Sequence, residues 1–182
     1  RFFPDIPGLS AFPELNVRTY VRHNGYPGVW FFSLDAANPI AVRLARRFFR
    51  LPYFDAAMEV SASETQVRYH SRRTHTGAKP AAFTADYRPT GPAYHATPGT
   101  LDDWLTARYC FFASDAVHPL DPQAGLYRCD IHHKPWTLQP ARVEIGENTM
   151  TGPIDLVLPD IPPLLQYAAR TEVVGWLPKR VG

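Results

Sequence analysis

Residues 14–21 read Glu-Leu-Asn-Val-Arg-Thr-Tyr-Val, an alternation that sends Glu14, Asn16, Arg18 and Tyr20 to one side of a strand and Leu15, Val17, Thr19 and Val21 to the other. The polar side carries groups that can do chemistry. An arginine facing a cavity holds a carboxylate or phosphate through two parallel hydrogen bonds, and a glutamate beside it can move a proton. At roughly 3.3 Å per residue, Glu14 and Arg18 stand about 13 Å apart, too far for a direct pair but able to flank a small ligand. On a half-exposed strand the same residues are the wet side of a sheet; in a closed barrel they line the lumen.

Other groups that resemble sites are weaker. His70 and His75, followed by Thr76-Gly77-Ala78-Lys79-Pro80, look like the end of a two-cysteine, two-histidine zinc finger, but no cysteine precedes Cys110, so the tetrahedral ligand set is incomplete. Arg68, His70 and Arg72 share a strand face, with Arg73, His75 and Lys79 beyond and Tyr69 interleaved, a pattern that could bind single-stranded nucleic acid. The net charge of +2, from 19 Lys plus Arg against 17 Asp plus Glu, supplies no global field for it, and the reading weighs against nucleic acid. Adjacent strand residues point to opposite faces, so of His132 and His133 at most one faces a site, and Pro135-Trp136 adds an aromatic wall after them. There is no phosphate-binding glycine loop, no nucleophile elbow and no His-Glu-x-x-His, and no metal or cofactor is expected.

The elements that must position these groups are short and mostly strands. Nineteen prolines among 182 residues punctuate the chain throughout, while 45% hydrophobic residues suffice for a core. Strand 14–21 turns at Gly25-Tyr26-Pro27-Gly28 into an apolar strand at 29–35. Asn38-Pro39 caps a helix over 40–49 carrying Arg43, Arg46, Arg47 and Arg50, which Pro52 ends. Further strands are expected at 58–62, 66–72, 82–88, 109–113, 126–132, 139–144 and 167–176, and a capping box at Thr100 opens a short helix to about Arg108. No apolar run is long enough to span a membrane, and Cys110 and Cys129 read as buried, reduced thiols of a cytoplasmic protein. The expectation is one domain over 1–182. Because the chain begins at Arg1 and residues 2–9 read like the end of a loop, it is expected to lack its N-terminal strands.

Several stretches resemble the YqjF-like family of conserved bacterial proteins: Phe12-Pro13-Glu14-Leu15-Asn16-Val17-Arg18-Thr19-Tyr20-Val21, Gly28-Val29-Trp30-Phe31-Phe32-Ser33-Leu34-Asp35, Leu51-Pro52-Tyr53, Thr106-Ala107-Arg108-Tyr109, His133-Lys134-Pro135-Trp136-Thr137-Leu138 and Pro162-Pro163-Leu164-Leu165-Gln166-Tyr167. That resemblance implies a mainly β (α+β) fold similar to acetoacetate decarboxylase, a curled antiparallel sheet closing into a barrel with two or three short helices. It also places Glu14 where the decarboxylase has an active-site glutamate, and Tyr53 where it has the lysine that forms a Schiff base with the β-keto acid. With lysines only at 79, 134 and 179, the lysine mechanism is expected to be lost. The leading reading is therefore a barrel that binds an organic acid or carbonyl metabolite through Glu14, Asn16, Arg18, Tyr20 and His133, with aromatic walls from Trp30, Tyr53 and Trp136. The alternative is a lyase or isomerase using Glu14 as base and Tyr53 or His133 as acid. Decarboxylase relatives assemble into oligomers, so self-association is expected as well.

Overall fold

Strands β1 (Glu14–His23) and β2 (Tyr26–Ala36) form a hairpin in the computed structural model, which describes residues 12–63, 65–115 and 123–182. The stretch 2–9 lies outside the described residues. The turn is tighter than expected. Its two residues are Asn24 and Gly25, with φ of 48° and 82°, the pair of positive angles that an Asn-Gly hairpin turn requires, so Tyr26, Pro27 and Gly28 belong to β2.

The hairpin carries a bulge. Val17 faces Ser33 while Arg18 faces Phe31, so Phe32 is the extra residue on β2. The extra residue resets which side chains of β2 share the face of Arg18 and Tyr20. Phe31 and Val29 turn to that side, and Leu34 stays there opposite Asn16. Val29 and Leu34 form the hydrophobic core with Leu51, Phe111, Ala113 and Cys129, and Tyr20, Phe31 and Tyr53 pack against it. The polar-looking face of β1 therefore stands over the core.

Helix α1 (Pro39–Phe49) starts as its sequence dictates: Asn38 Oδ1 accepts from the N–H groups of Ile40 at 3.0 Å and Ala41 at 3.1 Å, and Pro39 fills the first turn. Arg50 ends it in the left-handed conformation, two residues before Pro52. Asn38→Ala is expected to cost about 1 kcal/mol, a fall in Tm of about 2–4 °C by thermal denaturation. An unchanged Tm would remove the side chain from the cap's energetics.

The outer edge of β2 is shared. Its C-terminal part pairs with β3 (Tyr53–Ala62) and its middle with β7 (Cys110–Ser114), both in parallel, so the expected antiparallel sheet is mixed at its centre. A Cβ on Gly28 would stand 2.7 Å from the Phe112 ring and 3.0 Å from the Cys110 carbonyl, which is why only glycine lets β7 close on β2. From β3 one wing runs through β4 (Val67–Arg73) and β5 (Ala82–Pro89) to β9 (Thr137–Asn148), which also pairs with β6 (Tyr94–His95) and β10 (Gln166–Tyr167). From β7 the other wing runs to β8 (Leu126–His133), which pairs with β11 (Val173–Gly175) and β12 (Lys179–Arg180). Helix α2 (Leu101–Thr106) and a 3-10 turn (Gly152–Ile154) complete the described elements.

The strand path ends at β10 on one side and β11 on the other, and no ladder joins those ends among the described residues. The barrel closure implied by the resemblance is thus not made by hydrogen-bonded strands. A single strand over 167–176 is also not formed: β10 belongs to the first wing and β11 to the second, so the segment between them crosses the gap as irregular chain. Among the described residues no helix is long and apolar enough to cross a membrane.

Candidate functional site

The face of β1 opens onto a cavity of about 460 Å³ whose wall includes Arg18, Tyr20, Leu105, Trp136, Leu138 and Gln166. Three elements fix this wall. The Tyr20 hydroxyl donates to the Leu105 carbonyl at 3.1 Å and its ring lies 4.5 Å from Trp104, which ties β1 to α2. Asp102 of α2 accepts from the Tyr94 hydroxyl at 2.7 Å and the Gln166 amide at 2.5 Å, which ties α2 to β6 and β10. Arg18 reaches into this space with its guanidinium 5.8 Å from the Tyr20 ring, and no carboxylate pairs with it among the described residues.

Glu14, at the start of the same face, is held separately. The Tyr53 hydroxyl donates to Glu14 Oε2 at 2.5 Å, the Tyr69 hydroxyl donates to the Glu14 carbonyl at 2.8 Å, and Asn16 hydrogen-bonds the carboxylate. The carboxylate is accessible to water yet ringed by protein, and desolvation raises its pKa above the usual value, with the bonds from Tyr53 and Asn16 pulling part of the way back. Desolvation and the adjacent Glu14 charge raise the Tyr53 phenol too, so Tyr53 stays a hydrogen-bond donor across physiological pH. For Glu14 the folded state holds its proton to higher pH than the unfolded chain. Its contribution is full below the ordinary glutamate range and is lost as pH rises through the raised folded value. The stability of the protein minus that of Glu14→Gln, measured by chemical denaturation, is therefore expected to fall with rising pH and then level off; a difference that grows with pH would sink this account.

A second charged feature lies inside the fold. Asp35 and Arg73 are almost fully buried, and Arg73 donates from Nε at 3.0 and 3.1 Å and from Nη2 at 2.6 Å to the Asp35 carboxylate, with its guanidinium 4.1 Å from the Phe54 ring. Arg73 follows Arg68, His70 and Arg72 in a basic run, but it falls on the opposite, buried face of β4. Most of the rest of that run is partnered as well, Arg68 with Asp86, His70 with Thr84, His75 with Asp55 and Lys79 with Asp155, while Arg72 is exposed. A carboxylate at Asp35, at the end of the most apolar strand of the chain, was the visible signal of a buried partner.

The structure does not bring every candidate residue to one place. Trp136 joins Arg18 and Tyr20, while Tyr53 and Asn16 join Glu14. Trp30 lines a different groove, of about 890 Å³, with Arg46, Phe54 and Phe112. His133 is 5% exposed and both ring nitrogens have partners: Nδ1 lies 2.9 Å from the Lys134 carbonyl and 3.1 Å from Trp136 Nε1, Nε2 lies 3.1 Å from the Arg108 carbonyl, and the ring stacks on Tyr109. It lies outside the wall of the Arg18 cavity and lines a neighbouring groove with Trp136. None of the three lysines lines the Arg18 cavity: Lys79 and Lys179 lie near Asp155 and Asp130, and Lys134 lines a neighbouring groove with His95 and His132.

Comparison with known proteins places this architecture. The chain is 46% identical over 176 residues to the uncharacterized protein YqjF of Bacillus subtilis (strain 168), a match covering 97% of this chain and 69% of that protein. Two solved structures of acetoacetate decarboxylase share its fold. The enzyme from Legionella pneumophila subsp. pneumophila str. Philadelphia 1 superposes with a TM-score of 0.53 at 15% identity, over 100% of this chain and 71% of that one. A second acetoacetate decarboxylase gives 0.58 at 12%, over 93% and 68%. Residues 1–172 match the profile of the uncharacterized conserved proteins grouped as DUF2071, and the chain belongs to that family.

Proposed function

We propose that this protein binds a small organic acid or carbonyl metabolite in the cavity beside β1, without a Schiff-base lysine. The observation that carries the reading is Arg18: a guanidinium turned into a cavity with no carboxylate partner among the described residues, between the aromatic walls of Tyr20 and Trp136. A carboxylate entering there gains charge-assisted hydrogen bonds from Arg18 and apolar contact with Leu105 and Leu138. The likeness in fold to acetoacetate decarboxylases supports a small acid as ligand, while the lysine-free cavity argues against their covalent step. The buried, unpaired thiols of Cys110 and Cys129 fit a reducing, cytoplasmic setting. With Arg68, Arg73 and Lys79 each held by a carboxylate, the basic run from Arg68 to Lys79 lends little support to nucleic-acid binding.

A lyase or isomerase is the second reading, and the Tyr53–Glu14 hydrogen bond favours it: a carboxyl of raised pKa is suited to moving a proton, with the Tyr53 phenol beside it as hydrogen-bond donor. One experiment separates the two. A thermal-shift screen of keto, hydroxy and simple organic acids is followed by product analysis of every hit. Hits that are never consumed support a binder, consumed hits support the enzyme, and a screen in which no acid raises Tm overturns both.

A further inference from the structure

Residues 155–164 form an irregular arm between the 3-10 turn and β10, and every one of them is exposed. Five are large and apolar, Leu156, Val157, Leu158, Ile161 and Leu164, with Val157 89% exposed and Ile161 68%. Pro159, Pro162 and Pro163 keep the arm from closing into a helix that could bury them. A run of uncovered apolar side chains on this scale marks a surface that meets a partner.

Helix α1 carries a second such surface. Its Val42 is buried and Ala41, Ala45 and Phe49 are half-buried, but Ile40, Leu44 and Phe48, four residues apart, form one ridge on the outer side, with Ile40 61% exposed. Arg43 and Arg47 form the ridge beside it. The two surfaces are opposite in charge. Between Asp35 and Asp55 the chain has Arg43, Arg46, Arg47 and Arg50 and no acidic residue, whereas between Glu147 and Arg170 it has Asp155 and Asp160 and no Lys or Arg. Neither Arg47 nor Asp160 has an ion-pair partner among the described residues. The surfaces are also neighbours: Pro153 and Ile154, just ahead of the arm, line the same groove as Arg46 and Arg50 at the end of α1.

We infer that this chain pairs with a second copy of itself through a two-fold interface in which the arm of each copy lies on the outer ridge of the other's α1. Because arm and ridge sit side by side, one two-fold contact covers both surfaces on both copies and leaves no patch open for further growth. The acidic arm weighs against an anionic membrane as the occupant, since a surface that attracts the arginines repels Asp155 and Asp160 beside them. The pairing does not depend on the proposed ligand.

Sedimentation equilibrium of the full chain tests it. A species of twice the chain mass is expected, with a dissociation constant of about 10 μM or tighter. Leu44→Glu on the helix and Val157→Asp on the arm are each expected to weaken pairing about 100-fold or more, because each sets a carboxylate against apolar side chains at the contact. Mixed, the two variants are expected to associate more tightly than either alone: the hetero-pair keeps one intact contact, the arm of the Leu44→Glu copy on the helix of the Val157→Asp copy. Should Leu44→Glu fail to fold, Ile40→Glu carries the test, because an acid in the first turn suits the helix dipole. A wild-type chain that stays monomeric at about 100 μM overturns the inference, and its flotation with phosphatidylserine vesicles would then name a membrane as the occupant. Pairing that only one of the two variants disturbs also overturns it, since that means helix on helix or arm on arm, as do variants that stay apart on mixing.

Discussion

Asp35→Ala is expected to destabilise the protein by about 3–5 kcal/mol, because it leaves the Arg73 guanidinium buried without its counter-ion. The pair makes three hydrogen bonds, and neither side chain can turn to water when the other is removed. For a chain of this length that loss corresponds to a fall in Tm of roughly 6–20 °C. The buried pair itself is not the source of stability; the isolated charge is the source of instability. The double variant Asp35→Val with Arg73→Met is therefore expected to recover most of the loss, since Met keeps an apolar body against Phe54. Denaturant titration of the two variants checks both statements. A single variant within about 1 kcal/mol of wild type, or a double variant worse than the single, would show that Arg73 finds another partner.

Arg18→Ala is expected to weaken binding of an organic acid roughly 10- to 100-fold, the loss of a charge-assisted contact worth about 1.5–3 kcal/mol. Arg18 has no ion partner among the described residues, so its removal should change Tm by little, within about 0.5 kcal/mol of stability. That separation is what distinguishes a ligand-binding arginine from a structural one such as Arg73. The same variant should lose the salt dependence that a cationic site imposes on wild-type binding, and Arg18→Lys should restore charge without restoring the two-pronged geometry. Titration of the best acid from the screen decides the matter: equal affinity in Arg18→Ala, at any salt concentration, would remove Arg18 from the site.

Much of the fold follows from local rules. The period of two in 14–21 places Glu14, Asn16, Arg18 and Tyr20 on one face, and the structure keeps them there because β1 itself has no bulge. Asn38 and Pro39 write the start of α1, and Thr100 with Asp103 writes the start of α2, since a cap needs only its own next few residues. Asn24-Gly25 was legible as a two-residue turn too, but the prolines and glycines after it draw attention to 25–28 instead.

The site depends on distances that no local pattern encodes. Tyr53 reaches Glu14 across 39 positions of sequence and Tyr69 across 55, and Arg73 meets Asp35 across 38. Alternation along β4 sends Arg68, His70 and Arg72 to one face and Arg73 to the other, but which face is buried, and that Asp35 two strands away waits there for Arg73, is decided only when β2, β3 and β4 assemble. His133 was recognisable as chemistry, but the Arg108 carbonyl and Trp136 claim its nitrogens once β7 and β8 pair. Arg108 itself reads as the end of a helix; its burial between Trp104 and Tyr20 appears only when α2 docks on β1. Residue types and their periods specify which groups face the same way on one element. Which groups face each other across elements is decided by packing, because burial and the pairing of charges are properties of the assembled sheet.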